Sequence, residues 1–110
     1  MSQPSERKHF RIQYPAAARP EIVIDGRAYD VLDISEHGVR FRGDGEIAIT
    51  VGDPLSGRVR FRRTEAVDVR GTVLRIAGRE IAAKLDAGVP LRVMIEEQRY
   101  IREQHGGTAR

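Results

Sequence analysis

The chain has 110 residues and a formal net charge of +3, a size that fits one small globular domain. Hydrophobic residues make up 40% and charged residues 32%, too apolar for full disorder and too charged for a membrane protein. No cysteine is present, which excludes disulfides, thiolate metal sites and cysteine nucleophiles. No apolar run reaches the roughly 20 residues that cross a bilayer, and the first eight residues carry no apolar stretch. We therefore expect a cytoplasmic protein without a secretory signal.

An alternation of apolar and polar residues with period two predicts β-strands along most of the chain. The first strand lies around Phe10–Tyr14. After Ile22 and Ile24, the dipeptide Asp25-Gly26 is typical of a tight turn, and it leads into a strand from about Arg27 to Ile34. Further strands are predicted around Val39–Phe41, Val59–Phe61, Val67–Val73 with a bend at Gly71, and Ile81–Leu85.

The period changes to that of a helix near the C-terminus. The predicted apolar face of this helix contains Leu91, Met94, Ile95, Gln98 and Ile101. Pro90 is well placed near the helix start, and the helix extends to about Glu103. Six or seven short strands and one helix indicate a small antiparallel barrel or sandwich. We expect one domain over residues 6–103, with flexible tails at 1–5 and 104–110.

No enzyme signature is found in the sequence. The histidines lie far apart, at His9, His37 and His105. None has metal-ligand spacing with another histidine or an acid, and Ser35 and His37 lie too close in one turn for a nucleophile–base pair. The glycines Gly43 and Gly45 are flanked by acidic residues, which would repel phosphate. We expect no catalytic residue, no bound metal and no cofactor.

The most basic segment is the predicted strand from Arg58 to Arg63. Such a segment is either a stripe that binds nucleic acid or a solvent-facing strand whose arginines discourage edge-to-edge association. Glu65 and Asp68 follow closely and favour the second interpretation. A nucleic-acid polymer is therefore an improbable partner.

A first short motif lies near the N-terminus, where Arg7 and Arg11 have the spacing Arg-x-x-x-Arg. In an extended segment Arg7, His9 and Arg11 point to one side, while Phe10 points to the other. Roughly two or three such pairs are expected by chance in a chain so rich in arginine, so the motif alone is not specific.

A second motif, Asp33-x-Ser35-x-x-Gly38, is far rarer by chance. Asp33 and Ser35 are predicted to share one face at the end of a strand. Gly38 can adopt the positive φ that a sharp reversal needs and leaves space for a ligand. The alternative is an ordinary turn, in which both polar side chains bond nearby backbone groups.

In this order and separation the two motifs resemble the PilZ domain, a family of bacterial receptors for the second messenger cyclic di-GMP. The resemblance extends over about Glu6–Arg102 and implies a six-stranded antiparallel β-barrel with a C-terminal α-helix. The late hairpin, Gly71–Arg75 and Ile81–Leu85, is similar to that of the family. It departs from the family at Ala82, where glycine is frequent.

The resemblance also implies the ligand and its contacts. The expected cyclic di-GMP site consists of an N-terminal arm and a turn: Arg7, Lys8, Arg11, Asp33, Ser35 and Gly38. The arginines would pair with phosphate or guanine, with Lys8 adding charge. Asp33 would accept from guanine or hold an arginine in place, Ser35 would donate a hydrogen bond, and Gly38 would allow close approach.

Three functions remain compatible with these residues. The favoured one is a stand-alone cyclic di-GMP receptor that passes the signal to an unidentified protein partner and catalyses no reaction. The others are a PilZ-like interaction module that does not bind the nucleotide and, less favoured, a small basic nucleic-acid-binding barrel. Glu6, where the family often has a basic residue, favours one ligand per site. We also expect the arm from Met1 to Tyr14 to be loosely held until ligand orders it.

Overall fold

A computed structural model of the chain describes residues 11–43 and 48–104. Its regular elements are the strands β1 (Arg11–Gln13), β2 (Glu21–Ile24), β3 (Arg27–Ser35), β4 (Gly38–Arg42), β5 (Pro54–Arg60), β6 (Val67–Ala77) and β7 (Glu80–Ala87), a 3₁₀ turn (Ala16–Ala18) and the helix α1 (Leu91–Gln104). The predicted tails lie outside the described residues, except for Gln104, which ends α1.

Six of the strands close into an antiparallel barrel. The order is β3-β2-β5-β6-β7-β4, and β4 pairs back with β3. The seventh strand, β1, is an addition that pairs antiparallel with the last three residues of β3. The helix α1 follows the barrel and contacts β1. The predicted six-stranded antiparallel β-barrel with a C-terminal helix is confirmed.

The β2–β3 hairpin turns where the sequence predicts it. Asp25 and Gly26 have φ values of 51° and 81°, the left-handed pair that a two-residue hairpin turn requires. Inside the barrel, apolar side chains from every barrel strand form one core, with Ile22, Phe41 and Ile81 fully buried.

The helix α1 packs on the barrel with only part of its predicted apolar face, namely Met94 and Ile101. Val93 and Met94 are buried together with the charged Glu97, whereas Leu91 and Ile95 are 46% and 43% exposed. The prediction followed the apolar residues alone, and a buried glutamate cannot be recognised by that rule. The exposed pair leaves an apolar strip on the outer side of α1.

The arginine-rich strand also differs from its prediction in extent. β5 begins at Pro54, four residues before Arg58, and ends before the buried Phe61. Its first half contains Ser56 and Gly57, which lack the large β-branched side chains that mark a strand in sequence.

Two arginines of β5 have acidic partners on neighbouring strands. Arg58 pairs with Asp68 at 2.8 Å, and Arg60 pairs with Glu21 at 2.8 Å. These ion pairs are exposed and support the interpretation of β5 as a solvent-facing strand. Within residues 11–43 and 48–104, no helix is long and apolar enough to cross a membrane.

Candidate functional site

A β-bulge in β3 decides which way the Asp-x-Ser motif faces. Tyr29 and Val31 are buried in the barrel core, and strict alternation would place Asp33 inside with them. The β3–β4 register shifts between Val31 and Asp33, so that one residue, Leu32, is extra. Beyond this bulge Ile34 is the residue in the core, and Asp33 and Ser35 lie on the outer face.

Two rows of paired residues cross the outer face of the barrel. One row contains Asp33 of the motif, and the other contains Ser35 and Gly38. In the first row Gln13 opposes Asp33, Asp33 opposes Arg40, and Arg40 and Arg75 both oppose Ala82. The second row contains Arg11, Ser35, Gly38, Lys84 and Thr72. Strand pairing thus places both motifs side by side, because β1 lies against the end of β3.

A pocket of about 230 Å³ opens over these two rows. Its lining contains all three residues of the second motif and one arginine of the first, together with residues of β4, β6 and β7. The lining residues are Arg11, Asp33, Ser35, Gly38, Val39, Arg40, Arg75, Ala82 and Ala83. Four of the six predicted site residues therefore lie together, and the departure from the family at Ala82 lies in the same pocket.

The carboxylate of Asp33 is buried beneath Arg40. Arg40 donates from Nε to Asp33 Oδ2 at 2.8 Å, and its Nη2 lies 2.7 Å from the same oxygen. A third nitrogen of this guanidinium, Nη1, donates to Glu80 at 2.6 Å. These bonds, chiefly the one to Asp33, raise the pKa of Arg40, and they fix the guanidinium plane along one wall of the pocket.

Two other guanidiniums in the pocket are not held in this way. Arg11 Nη1 lies 3.8 Å from Asp33 Oδ1, which is beyond hydrogen-bond distance, and its side chain is 61% exposed. Within the described residues Arg75 has neither an ion pair nor a side-chain hydrogen bond. Arg11 and Arg75 are thus the cations that can donate to a ligand.

The glycine of the second motif has only one of its two expected roles. The positive-φ glycines among the described residues are Gly26, Gly52 and Gly78, so the turn before Gly38 needs no left-handed residue there. Gly38 instead pairs with Ser35 and begins β4. A Cβ on Gly38 would lie 3.5 Å from Ser35 Oγ, so the missing side chain leaves the pocket floor open.

Arg7 and Lys8, and the predicted ordering of the arm, lie outside the described residues. Within them, Ile12 and Tyr14 are buried and β1 is paired with β3. Arg11 therefore starts from a packed strand, and the looseness of the arm without ligand stays a prediction.

Two charged pocket residues, Arg40 and Arg75, are absent from the predicted site. Arg40 faces Asp33 only because the bulge shifts the β3–β4 register. Arg75 shares a row with Arg40 through a second register shift, between Val73 and Arg75 in β6. The alternation around Val39 and Phe41 could have placed Arg40 on the outer face. Nothing in the sequence specified its partner.

The family model of the PilZ domain matches residues 5–103. The chain belongs to the PilZ domain family. Comparison with curated proteins gives no match.

Two solved structures share the PilZ fold of this chain at low sequence identity. One is the Bacillus subtilis inhibitor of motility MotI/DgrA, with a TM-score of 0.67 and 16% identity over 89% of this chain and 50% of that one. The other is the uncharacterized Legionella protein Lpg0364, with a TM-score of 0.61 and 14% identity over 86% and 99% of the two chains. The PilZ chain described here thus spans about half the length of MotI/DgrA.

The described part of this PilZ domain contains no group of three or more histidine, aspartate or glutamate side chains arranged to hold a metal ion. The polar groups in the pocket are instead guanidiniums, a carboxylate and a hydroxyl. Such a set suits an anion that also carries hydrogen-bonding bases.

Proposed function

We propose that this PilZ domain is a cyclic di-GMP receptor that passes its signal to a protein partner. The observation that carries the proposal is the common pocket of Arg11 and the complete Asp33-x-Ser35-x-x-Gly38 motif. We assign cyclic di-GMP as the ligand because the family resemblance and the chemistry of the pocket both favour it. In this function the protein binds cyclic di-GMP without breaking any covalent bond of the ligand.

The arginines of the pocket support an anionic ligand. Arg40 is engaged by two carboxylates, Asp33 and Glu80, so its donors are largely taken up within the protein. Arg11 and Arg75 remain for the two phosphates or for guanine edges, which accept a guanidinium fork through O6 and N7. Asp33 acts in this proposal by holding Arg40 in place, the second of its two expected roles.

The size of the pocket indicates how much of the ligand it covers. Its volume of about 230 Å³ lies below the roughly 300–1,000 Å³ of sites that enclose a drug-sized ligand. The pocket can therefore enclose one part of a cyclic dinucleotide. The proposal assigns further contacts to Arg7 and Lys8, which precede Arg11 in the chain, and one ligand to each site.

The adaptor part of the proposal rests on the outer side of α1. Leu91 and Ile95 are exposed there, on a helix that contacts β1. An apolar strip of this kind is typical of a docking surface. It equally favours the alternative function, a PilZ-like interaction module that does not bind the nucleotide.

Titration calorimetry separates these two functions. We expect cyclic di-GMP to bind at moderate salt with a stoichiometry of one, and GTP and cyclic di-AMP to give no comparable heat. Absence of heat with cyclic di-GMP would leave the interaction module as the better account. Binding that is equal for all three nucleotides and falls steeply with salt would instead indicate nonspecific attraction of polyanions.

Arg75 offers a test of the pocket that the sequence motifs do not suggest. Arg75→Ala is expected to weaken cyclic di-GMP binding about tenfold, because a charge-assisted hydrogen bond contributes about 1.5–3 kcal/mol. Arg79→Ala is the matched control, since Arg79 lies in the same hairpin and does not line the pocket. Equal effects of the two substitutions in calorimetry would show that only general charge matters.

A further inference from the structure

A buried hydrogen bond joins α1 to the segment that carries Arg11. Tyr14 donates from its hydroxyl to Glu97 Oε1 at 2.7 Å. Tyr14 is 6% exposed and Glu97 1% exposed. A glutamate is almost never so completely buried unless it is paired, so this residue is an unusual choice for the contact face of a helix.

The second oxygen of Glu97 makes the burial more costly. Oε2 is buried and has no hydrogen-bond partner in the structure. Val93 and Met94, which lie one turn before Glu97 on α1, are fully buried. Removing a carboxylate from water with one hydrogen bond is unfavourable. The position is therefore not explained by packing alone, for which leucine or methionine would serve better.

Tyr14 is structurally continuous with Arg11. β1 has three residues and pairs only with β3, and the Tyr14 amide continues that pairing by donating to the Leu32 carbonyl at 3.0 Å. Between β1 and α1 lies a groove of about 270 Å³. Arg11 and Gln13 line it from β1, and Gln98 and Arg102 line it from α1. So short a strand depends on both neighbours for its position.

We propose that Glu97 is a positioning residue for the ligand pocket: through Tyr14 it holds α1 against β1, and α1 and β3 together fix Arg11 at the pocket. This deepens the proposed function and rests on it for the ligand. The contact between α1 and β1 does not depend on the proposed function. The docking of α1 and the binding of cyclic di-GMP are then coupled through one hydrogen bond.

The ionisation of Glu97 makes the docking of α1 dependent on pH, because burying the charge is unfavourable even though the Tyr14 hydrogen bond is kept. Burial raises the pKa of Glu97 above its ordinary value of 4.5; the Tyr14 hydrogen bond and the charge of Arg63 lower it, and Glu96 raises it. The folded state thus takes up a proton that the unfolded chain releases. The stability from this group is fully present below about pH 4.5 and is lost as pH rises through the raised pKa.

Three variants separate the parts of the proposal. Tyr14→Phe removes only the donated hydrogen bond. Glu97→Gln keeps an oxygen to accept from Tyr14 but cannot ionise. Glu103→Gln is the matched control, because it removes the same charge from an exposed position of α1.

Amide hydrogen exchange on the free protein gives the first readout. Tyr14→Phe is expected to accelerate exchange about three- to tenfold in both α1 and β1, the range that a single hydrogen bond supplies. Exchange in β4–β7 of Tyr14→Phe, and exchange throughout Glu103→Gln, should match the wild type. Faster exchange in α1 with β1 unchanged would overturn the proposal, whether or not the protein binds cyclic di-GMP.

Calorimetry against pH gives the second readout. Tyr14→Phe should weaken cyclic di-GMP binding about three- to tenfold. Glu97→Gln should bind like the wild type at low pH and lose the decline that the wild type shows as pH rises. Identical pH profiles of cyclic di-GMP binding for the wild type and Glu97→Gln would overturn the proposal. This comparison does not use Tyr14→Phe, so it holds even if that variant fails to fold. A wild type that binds no cyclic di-GMP refutes the proposed function, and exchange in β1 then decides the positioning role alone.

Discussion

Replacing Arg11 with alanine is expected to weaken cyclic di-GMP binding by about 1.5–3 kcal/mol, roughly tenfold to a hundredfold. Arg11 is the described arginine of the first motif, and it is exposed at the edge of the pocket. Its contact with Asp33, at 3.8 Å, leaves its donors available to phosphate or guanine. The fold should be unaffected, because an exposed side chain contributes little to stability. Calorimetry measures the loss, and thermal unfolding checks the fold.

Two further substitutions serve as comparisons for Arg11→Ala. Ser35→Ala should cost nearer 1 kcal/mol, since a neutral hydroxyl makes a weaker hydrogen bond than a guanidinium. Arg58→Ala removes an arginine that is paired with Asp68 on β6 and should leave binding unchanged. A large loss from Arg58→Ala together with a silent Arg11→Ala would move the binding site to β5.

Gly88→Ala is expected to destabilise the domain by about 1–3 kcal/mol or more and to weaken cyclic di-GMP binding as well. A Cβ on Gly88 would overlap the backbone carbonyl of Glu36, in the turn between Ser35 and Gly38. Backbone cannot rotate away as the end of a side chain can. The turn is also tied to β7, because Leu85 donates from its amide to the His37 carbonyl at 2.9 Å. A shift of the turn would therefore displace the motif.

Gly38→Ala is the matched control for Gly88→Ala. A Cβ on Gly38 would lie at ordinary contact distance, 3.5 Å, from Ser35 Oγ and the Ala83 carbonyl. Thermal unfolding should therefore show little change for Gly38→Ala and a clear loss for Gly88→Ala. The reverse order would mean that the motif glycine supports the fold and that the packing around Glu36 adjusts freely.

Local chemistry made much of the fold predictable. Asp25-Gly26 specifies its turn because few other residues adopt positive φ, and alternating apolar residues specify the barrel strands. The extent of β5 was not predictable in this way, because Ser56 and Gly57 owe their place in the sheet to pairing with β6. The face of α1 was also mispredicted in part, since the partner of Glu97 lies 83 residues away in the chain.

The candidate site was predictable as far as its motifs reach. Asp33 and Ser35 are two residues apart, and their spacing alone indicated a shared face, with Gly38 close by in the following turn. Arg40 and Arg75 enter the pocket through register shifts in β3 and β6. Such shifts are set by how two strands fit together, and no single segment shows them. The contribution of Arg7 and Lys8 stays a prediction.

The bulge at Leu32 means that chain length and register in β3 have to be counted together. Deleting Leu32 would bring Asp33 directly after the inward Val31, so regular alternation would still place Asp33 outside and Ile34 in the core. Losing or gaining one residue while the bulge is kept would instead rotate Asp33 into the barrel and bring Ile34 out to the solvent. A strand that keeps its bulge therefore tolerates changes of chain length in even steps, whereas one that loses it needs one residue fewer. Any transplant of the motif into another barrel has to match the bulge and the residue count as a pair.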